Sequence, residues 1–155
     1  MNRLEVLREH IDGVLLRMED HRERRIAYLH LYGVSQFCAL IALRRGEDAE
    51  LATMAGMLHD FYAYKNMDAT DHAEKGAELA REVLDELRLT SPDETDLICS
   101  AVRNHSSKGG AHSAFDEVLI DADVMQHCLY NFAFPVMEHE KERFAKLAKE
   151  FALAV

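Results

Sequence analysis

The sequence predicts an all-α fold, a compact single-domain bundle of about seven helices. Three observations carry that expectation. Only 2 Pro and 7 Gly punctuate 155 residues, too few for the tight turns of a many-stranded β domain. Apolar residues recur at spacings of three and four through most of the chain. The composition, 48% hydrophobic and 30% charged, supplies a sizeable core and argues against disorder.

The elements follow in order. Leu4, Leu7, Ile11, Val14, Leu15 and Met18 predict a first helix, and Ile26, Leu29, Val34, Phe37, Leu40 and Ile41 a second that Gly46 ends. A shorter helix runs from about Asp48 to Asp60, and Phe61 to Thr70 reads as an aromatic loop. Asp71 and Glu74 have the spacing of a capping box, opening a helix with Gly76, Leu79, Val83 and Leu87 along its stripe. Pro92 opens another, which gives way at Ser106 to Gly110; Phe115 to about Cys128 forms the next. Pro135 precedes a terminal amphipathic helix, about 136–153, on which Phe144, Leu147, Ala148 and Phe151 share a face. No repeat or linker divides the chain, so one domain over 1–155 is expected.

Charge and cysteine usage narrow the function. With 18 Lys plus Arg against 28 Asp plus Glu, the net charge is −10, and the short basic runs are flanked by acids, so no nucleic-acid partner is expected. The first 25 residues carry Glu5, Glu9, Asp12, Glu19 and Asp20, unlike a targeting segment, and the longest apolar run, Phe37 to Leu43, is too short for a bilayer. Cys38, Cys99 and Cys128 are odd in number and widely spaced, which fits neither a disulfide framework nor a thiolate zinc site. A cytoplasmic protein without a membrane partner is expected.

The chemistry sits in polar residues on apolar faces. His30 lies four after Ile26 and four before Val34; His59 shares a face with Ala52 and Ala55; His72 begins the stripe of Gly76 and Leu79; His105 continues Ile98, Ala101 and Val102; Asp123 follows Leu119 and Ile120. Asp60, after the apolar run AGML, meets the negative end of a helix dipole, a cost that an opposing cation would answer. Singly, each reads as a hydrogen-bonded core residue; together they also fit a shared metal site.

The ordered set His30, then His59-Asp60 in AGMLHDF, then Asp123 in LIDADVM, resembles the signature of the HD-domain superfamily of metal-dependent phosphohydrolases. HAEKGAELAREVL and ICSAVRNHS resemble two later family segments, and the likeness spans about 25–130. It implies the six-ligand branch: His30, His59, Asp60 and Asp123 around one ion, His72 and His105 on a second, and Asp60 bridging. The pattern is similar to that of the superfamily's dinucleoside polyphosphate hydrolases. The His-Asp-x-Gly-Lys run of its cyclic-dinucleotide phosphodiesterases is absent. Asp121 competes with Asp123 as the final ligand, and an Ala-Asp context favours Asp123.

One or two divalent transition ions (Mn, Fe, Co, Ni or Zn) suit such imidazoles and carboxylates. The implied activity is hydrolysis of a phosphoester or phosphoanhydride of a nucleotide or another small phosphorylated molecule by metal-activated water. Asp60 would bridge or orient that water, and Lys65, with Lys108 as a second candidate, would grip the phosphate. A di-iron oxygenase of the same superfamily and a metal-stabilised binding module without turnover are the alternatives. His10, His21, His112, His127 and His139 read as surface or structural residues, and the oligomeric state is open.

Overall fold

The computed structural model describes residues 1–155, and every regular element is helical. Eight α-helices run α1 Arg3–Leu15, α2 His21–Arg45, α3 Ala49–Leu58, α4 Phe61–Asn66, α5 His72–Leu87, α6 Pro92–Asn104, α7 Ala114–Leu129 and α8 Lys141–Glu150, with a 3-10 turn at Glu138–Glu140 before α8. Most of these helices start at a polar cap. Asn2, Asp20, Asp48 and Ser113 each accept a backbone N–H at the head of α1, α2, α3 and α7, which satisfies donors that a helix leaves unpaired. Gly46 closes α2 at φ +78°, a conformation that favours glycine.

Three expectations change. Phe61 to Asn66 is the short helix α4, because no Pro or Gly breaks it and the buried Phe61 ring anchors it. Asp71 makes no capping box: at φ +51° its side chain caps nothing, and Glu74 instead pairs with Arg103, tying α5 to α6. The capping box forms at Ser91 and Glu94, with Pro92 in the first turn of α6. On α2 the buried stripe is Ala27, His30, Leu31, Val34, Cys38 and Ile41, whereas Ile26, Leu29 and Leu40 are exposed. Apolar residues occupy two offset three-four registers on this helix, so periodicity alone leaves its phase open.

α2 forms the axis of the bundle. Its inner face packs on α3 and α7, and the α5–α6 pair closes the far side of α3. Its length and hydropathy would suffice for a membrane span, a property long core helices share. α2 and α3 cross closely at Gly56 of α3, where an added Cβ would stand 2.6 Å from the Ser35 Cα of α2. Gly76 of α5 lies against the His59 carbonyl in the same way, with 3.2 Å for an added Cβ. Small residues at both crossings let the backbones that carry the histidines approach one another.

Candidate metal centre

Five segments deliver polar side chains to one point. His30 comes from the middle of α2, His59 and Asp60 from the α3–α4 junction, His72 from the start of α5, His105 from just past α6, and Asp123 from the middle of α7. All but Asp60 and His72 are buried, and those two are partly so.

The imidazoles share one orientation. His59 Nδ1 donates to the Gly56 carbonyl at 2.7 Å, His105 Nδ1 to that of Val102 at 2.6 Å, and His72 Nδ1 to that of Ala69 at 3.1 Å. His30 Nδ1 meets Gln126 Oε1 at 2.8 Å. With each Nδ1 proton committed outward, each Nε2 presents a lone pair inward. His30 and His59 oppose these nitrogens at 3.0 Å, and His72 and His105 at 3.3 Å.

Asp60 lies between the two pairs. Its Oδ2 is 3.1 Å from His30 Nε2 and 3.3 Å from His59 Nε2; its Oδ1 is 3.3 Å from His105 Nε2 and 3.5 Å from His72 Nε2. Asp123 Oδ1 adds a further donor to the first pair, 3.5 Å from His30 and 3.8 Å from His59. Asp60 Oδ1 and Asp123 Oδ1 are buried without a hydrogen-bond partner. Donors held about 2.0–2.2 Å from one ion stand roughly 3.0–3.6 Å apart. The spacings seen here are of that size, and facing lone pairs beside orphaned carboxylate oxygens are costly until a cation neutralises them. Three overlapping groups have donor atoms close enough to hold an ion: His30, His59 and Asp60; His30, Asp123 and His127; and Asp60, His72 and His105.

Burial and charge oppose each other at this cluster. Burial disfavours the Asp60 carboxylate, yet His59, His105 and His30 outweigh it and hold its pKa well below the usual range. Burial lowers the pKa of His59. At His30 and His105 burial acts in the same sense, but the neighbouring carboxylates prevail and raise both.

Asp121 and Asp123 separate cleanly. Asp121 accepts from Arg45 at 2.7 Å and from Arg143 at 2.8 Å, so its charge is matched in the wall, while Asp123 faces the histidines. Lys108 places Nζ 2.9 Å from Asp123 Oδ2 and 2.7 Å from Glu140 Oε1. Lys65 is exposed at the end of α4 and does not line the cavity over the centre, because a helix rather than a loop sets its direction.

Residues 27–151 match the HD domain. The chain belongs to the HD-domain family. The match runs past the span expected from sequence and takes in α8. A solved structure from an uncultured Thermotogales bacterium, described as a predicted HD superfamily hydrolase, is similar in fold to this HD-domain protein. The TM-score is 0.62 at 20% identity, over 98% of this chain and 96% of that one. No curated protein matches.

Around the HD-domain cluster stand three further residues outside the expected ligand set. His127, expected to be surface or structural, stacks on His30 with centroids 5.3 Å apart and sets Nε2 3.3 Å from Asp123 Oδ1. Its Nδ1 meets Glu140 Oε1 at 2.8 Å, repeating the orientation of the other four rings. A signal for it does exist, because His127 lies four residues after Asp123 on one helical face. Gln126 and Glu140, the partners of His30 and His127, have no comparable mark in the sequence.

Proposed function

We propose that this HD-domain protein is a metal-dependent phosphohydrolase acting on a small phosphorylated molecule. The observation that carries the reading is Asp60, one oxygen turned to His30 and His59 and the other to His72 and His105. A carboxylate so placed suits two ions side by side, with Asp60 bridging. His30, His59, Asp60 and Asp123 would hold one ion, and Asp60, His72 and His105 the other. Bound divalent ions there would supply a water acidic enough to attack near neutral pH and would neutralise charge on the phosphoryl oxygens.

The chain's own residues do the rest. The outward Nδ1 hydrogen bonds fix each imidazole, so that no reorganisation is needed when the site fills. Lys108, with Asp123 on one side and Glu140 on the other, is the cation nearest the centre and takes the role of phosphate clamp in place of Lys65. His127 borders the same space, with Glu140 holding its ring.

The test is a panel of phosphoesters assayed with added Mn, Co or Fe, comparing the wild type with Asp60→Ala. Phosphate release by the wild type that the substitution abolishes supports the reading. Release that survives the substitution refutes it, and oxygen uptake with reduced iron in place of phosphate release would point to the oxygenase chemistry of the superfamily.

A further inference from the structure

The cavity that leads away from the metal centre bears on what kind of molecule enters. It measures about 1130 Å³ and extends from Asp60, His72 and His105 to the exposed face of α8. Of the eighteen residues that line it only Leu147 is apolar, and no Phe or Tyr is among them. Tyr62 and Tyr64 lie outside it, and the exposed rings of Phe132 and Phe134 border a separate apolar groove. Pockets that hold a flat heteroaromatic group are lined mainly by apolar and aromatic side chains, because the base must recover its hydration free energy through stacking and burial. The only rings in this wall are imidazoles: His72 and His105 face Asp60, His127 stacks on His30, and His139 is exposed, so no buried apolar face is present to sandwich a base.

What the wall does offer is a mosaic of paired charges. Arg45, Arg143 and Lys146 stand among Glu117, Asp121, Glu142 and Glu150, three cations against four carboxylates. Arg45 meets Glu150 at 2.8 Å, Lys146 meets Glu142 at 2.8 Å, and Arg143 meets Glu117. A polyphosphate tail laid here would face more carboxylates than cations and gain little. Hydroxyl groups donate to a carboxylate and accept from a guanidinium, so a polyol engages both members of each pair. At the inner end Lys108 stands between Asp123 and Glu140 beside the candidate metal centre, where bound ions would offset those carboxylates and suit a single phosphate.

We infer that the substrate is the phosphate monoester of a small polyhydroxylated compound, a sugar or polyol phosphate, and not a nucleotide. The inference rests on the phosphohydrolase reading above and adds the part of the substrate that the metal centre does not touch. The hydroxyl-bearing body lies along α8 among Arg143, Glu142 and Lys146, and its phosphate reaches Lys108.

Ribose 5-phosphate and AMP make the sharpest comparison, since the two differ by the base. Both are assayed for phosphate release with added Mn, Co or Fe beside p-nitrophenyl phosphate, and both are tested for thermal stabilisation of the protein. The expected result is a kcat/KM for ribose 5-phosphate at least about tenfold above that for AMP, the size of one or two well-made hydrogen bonds. In the double variant E142Q/K146M, whose sites are solvent-exposed, KM for ribose 5-phosphate rises severalfold more than KM for p-nitrophenyl phosphate. Turnover of AMP equal to or above that of ribose 5-phosphate overturns the inference and leaves the hydrolase reading intact. If no ester is turned over, the hydrolase reading falls. Stabilisation by ribose 5-phosphate over AMP then still supports the cavity assignment, and equal or absent stabilisation overturns that too.

Discussion

Replacing Gly56 by alanine is the most informative change away from the centre itself. The added Cβ would stand 2.6 Å from Ser35 Cα, 2.9 Å from Ser35 N and 3.1 Å from Cys38 Sγ. Carbon atoms in contact rest about 3.5–4.0 Å apart, so the first clash requires a shift of roughly 1 Å. Two of the three obstacles are backbone atoms inside helix α2 and cannot rotate away. Overpacking of this kind costs about 1–3 kcal/mol, offset by up to about 1 kcal/mol of helix propensity gained on losing glycine. A net loss of about 1–2 kcal/mol is expected. The same shift parts α2 from α3, and with them the His30 and His59 nitrogens that stand 3.0 Å apart, so metal affinity should fall along with stability. Urea unfolding of the metal-free protein and metal titration read the two effects separately. Gly13, with open space around it, is the control: alanine there should stabilise by about 0.5–1 kcal/mol through propensity alone. If Gly56→Ala is as stable as Gly13→Ala and binds metal like the wild type, the tight α2–α3 crossing is not what sets the histidine spacing.

Further predictions follow from the wall of the site. Glu140 is buried; burial alone would raise its pKa, but Lys108 and His127 outweigh that and hold it below the ordinary value. Because the folded pKa is the lower one, its stabilisation is present above about pH 4.5 and is lost as pH falls through the depressed value. Urea midpoints should therefore show Glu140→Gln about 1–3 kcal/mol less stable at pH 7, the cost of a broken buried charge-assisted pair, with the gap closing towards pH 3. A gap independent of pH would contradict this. Lys108→Met should raise KM for a phosphomonoester by about tenfold or more, since a charge-assisted contact contributes about 1.5–3 kcal/mol; an unchanged KM would remove Lys108 from the phosphate site.

Much of this site is legible in the amino-acid sequence, and the reason is specific. A histidine or aspartate on an apolar stripe is costly, so His30, His59, Asp60, His105 and Asp123 each stand out against their helices. The same logic applies to His127, four residues after Asp123, but its ring is half-exposed and looks unexceptional beside a helix end. Asp121 and Asp123 both lie on the well-buried α7, and what separates them is Arg45 and Arg143, brought from remote positions by the fold. As loop lysines, Lys65 and Lys108 are both plausible phosphate ligands. Only the helical state of Phe61 to Asn66 turns one away and leaves the other beside Asp123. The outer wall of the cavity is built by α8; its Glu142–Lys146 pair is an i,i+4 spacing, but the remote partners of Arg143 and Glu150 carry no sign in sequence.

Metal content measured by mass spectrometry after loading and exhaustive desalting tests the shared role of Asp60 most directly. The wild type should hold about two divalent ions per chain, the double substitution of His72 and His105 by alanine about one, and Asp60→Asn close to none, since that carboxylate faces both histidine pairs. An Asp60→Asn protein that keeps the wild-type content while remaining folded would contradict the bridging arrangement, as would a wild type that takes up no metal.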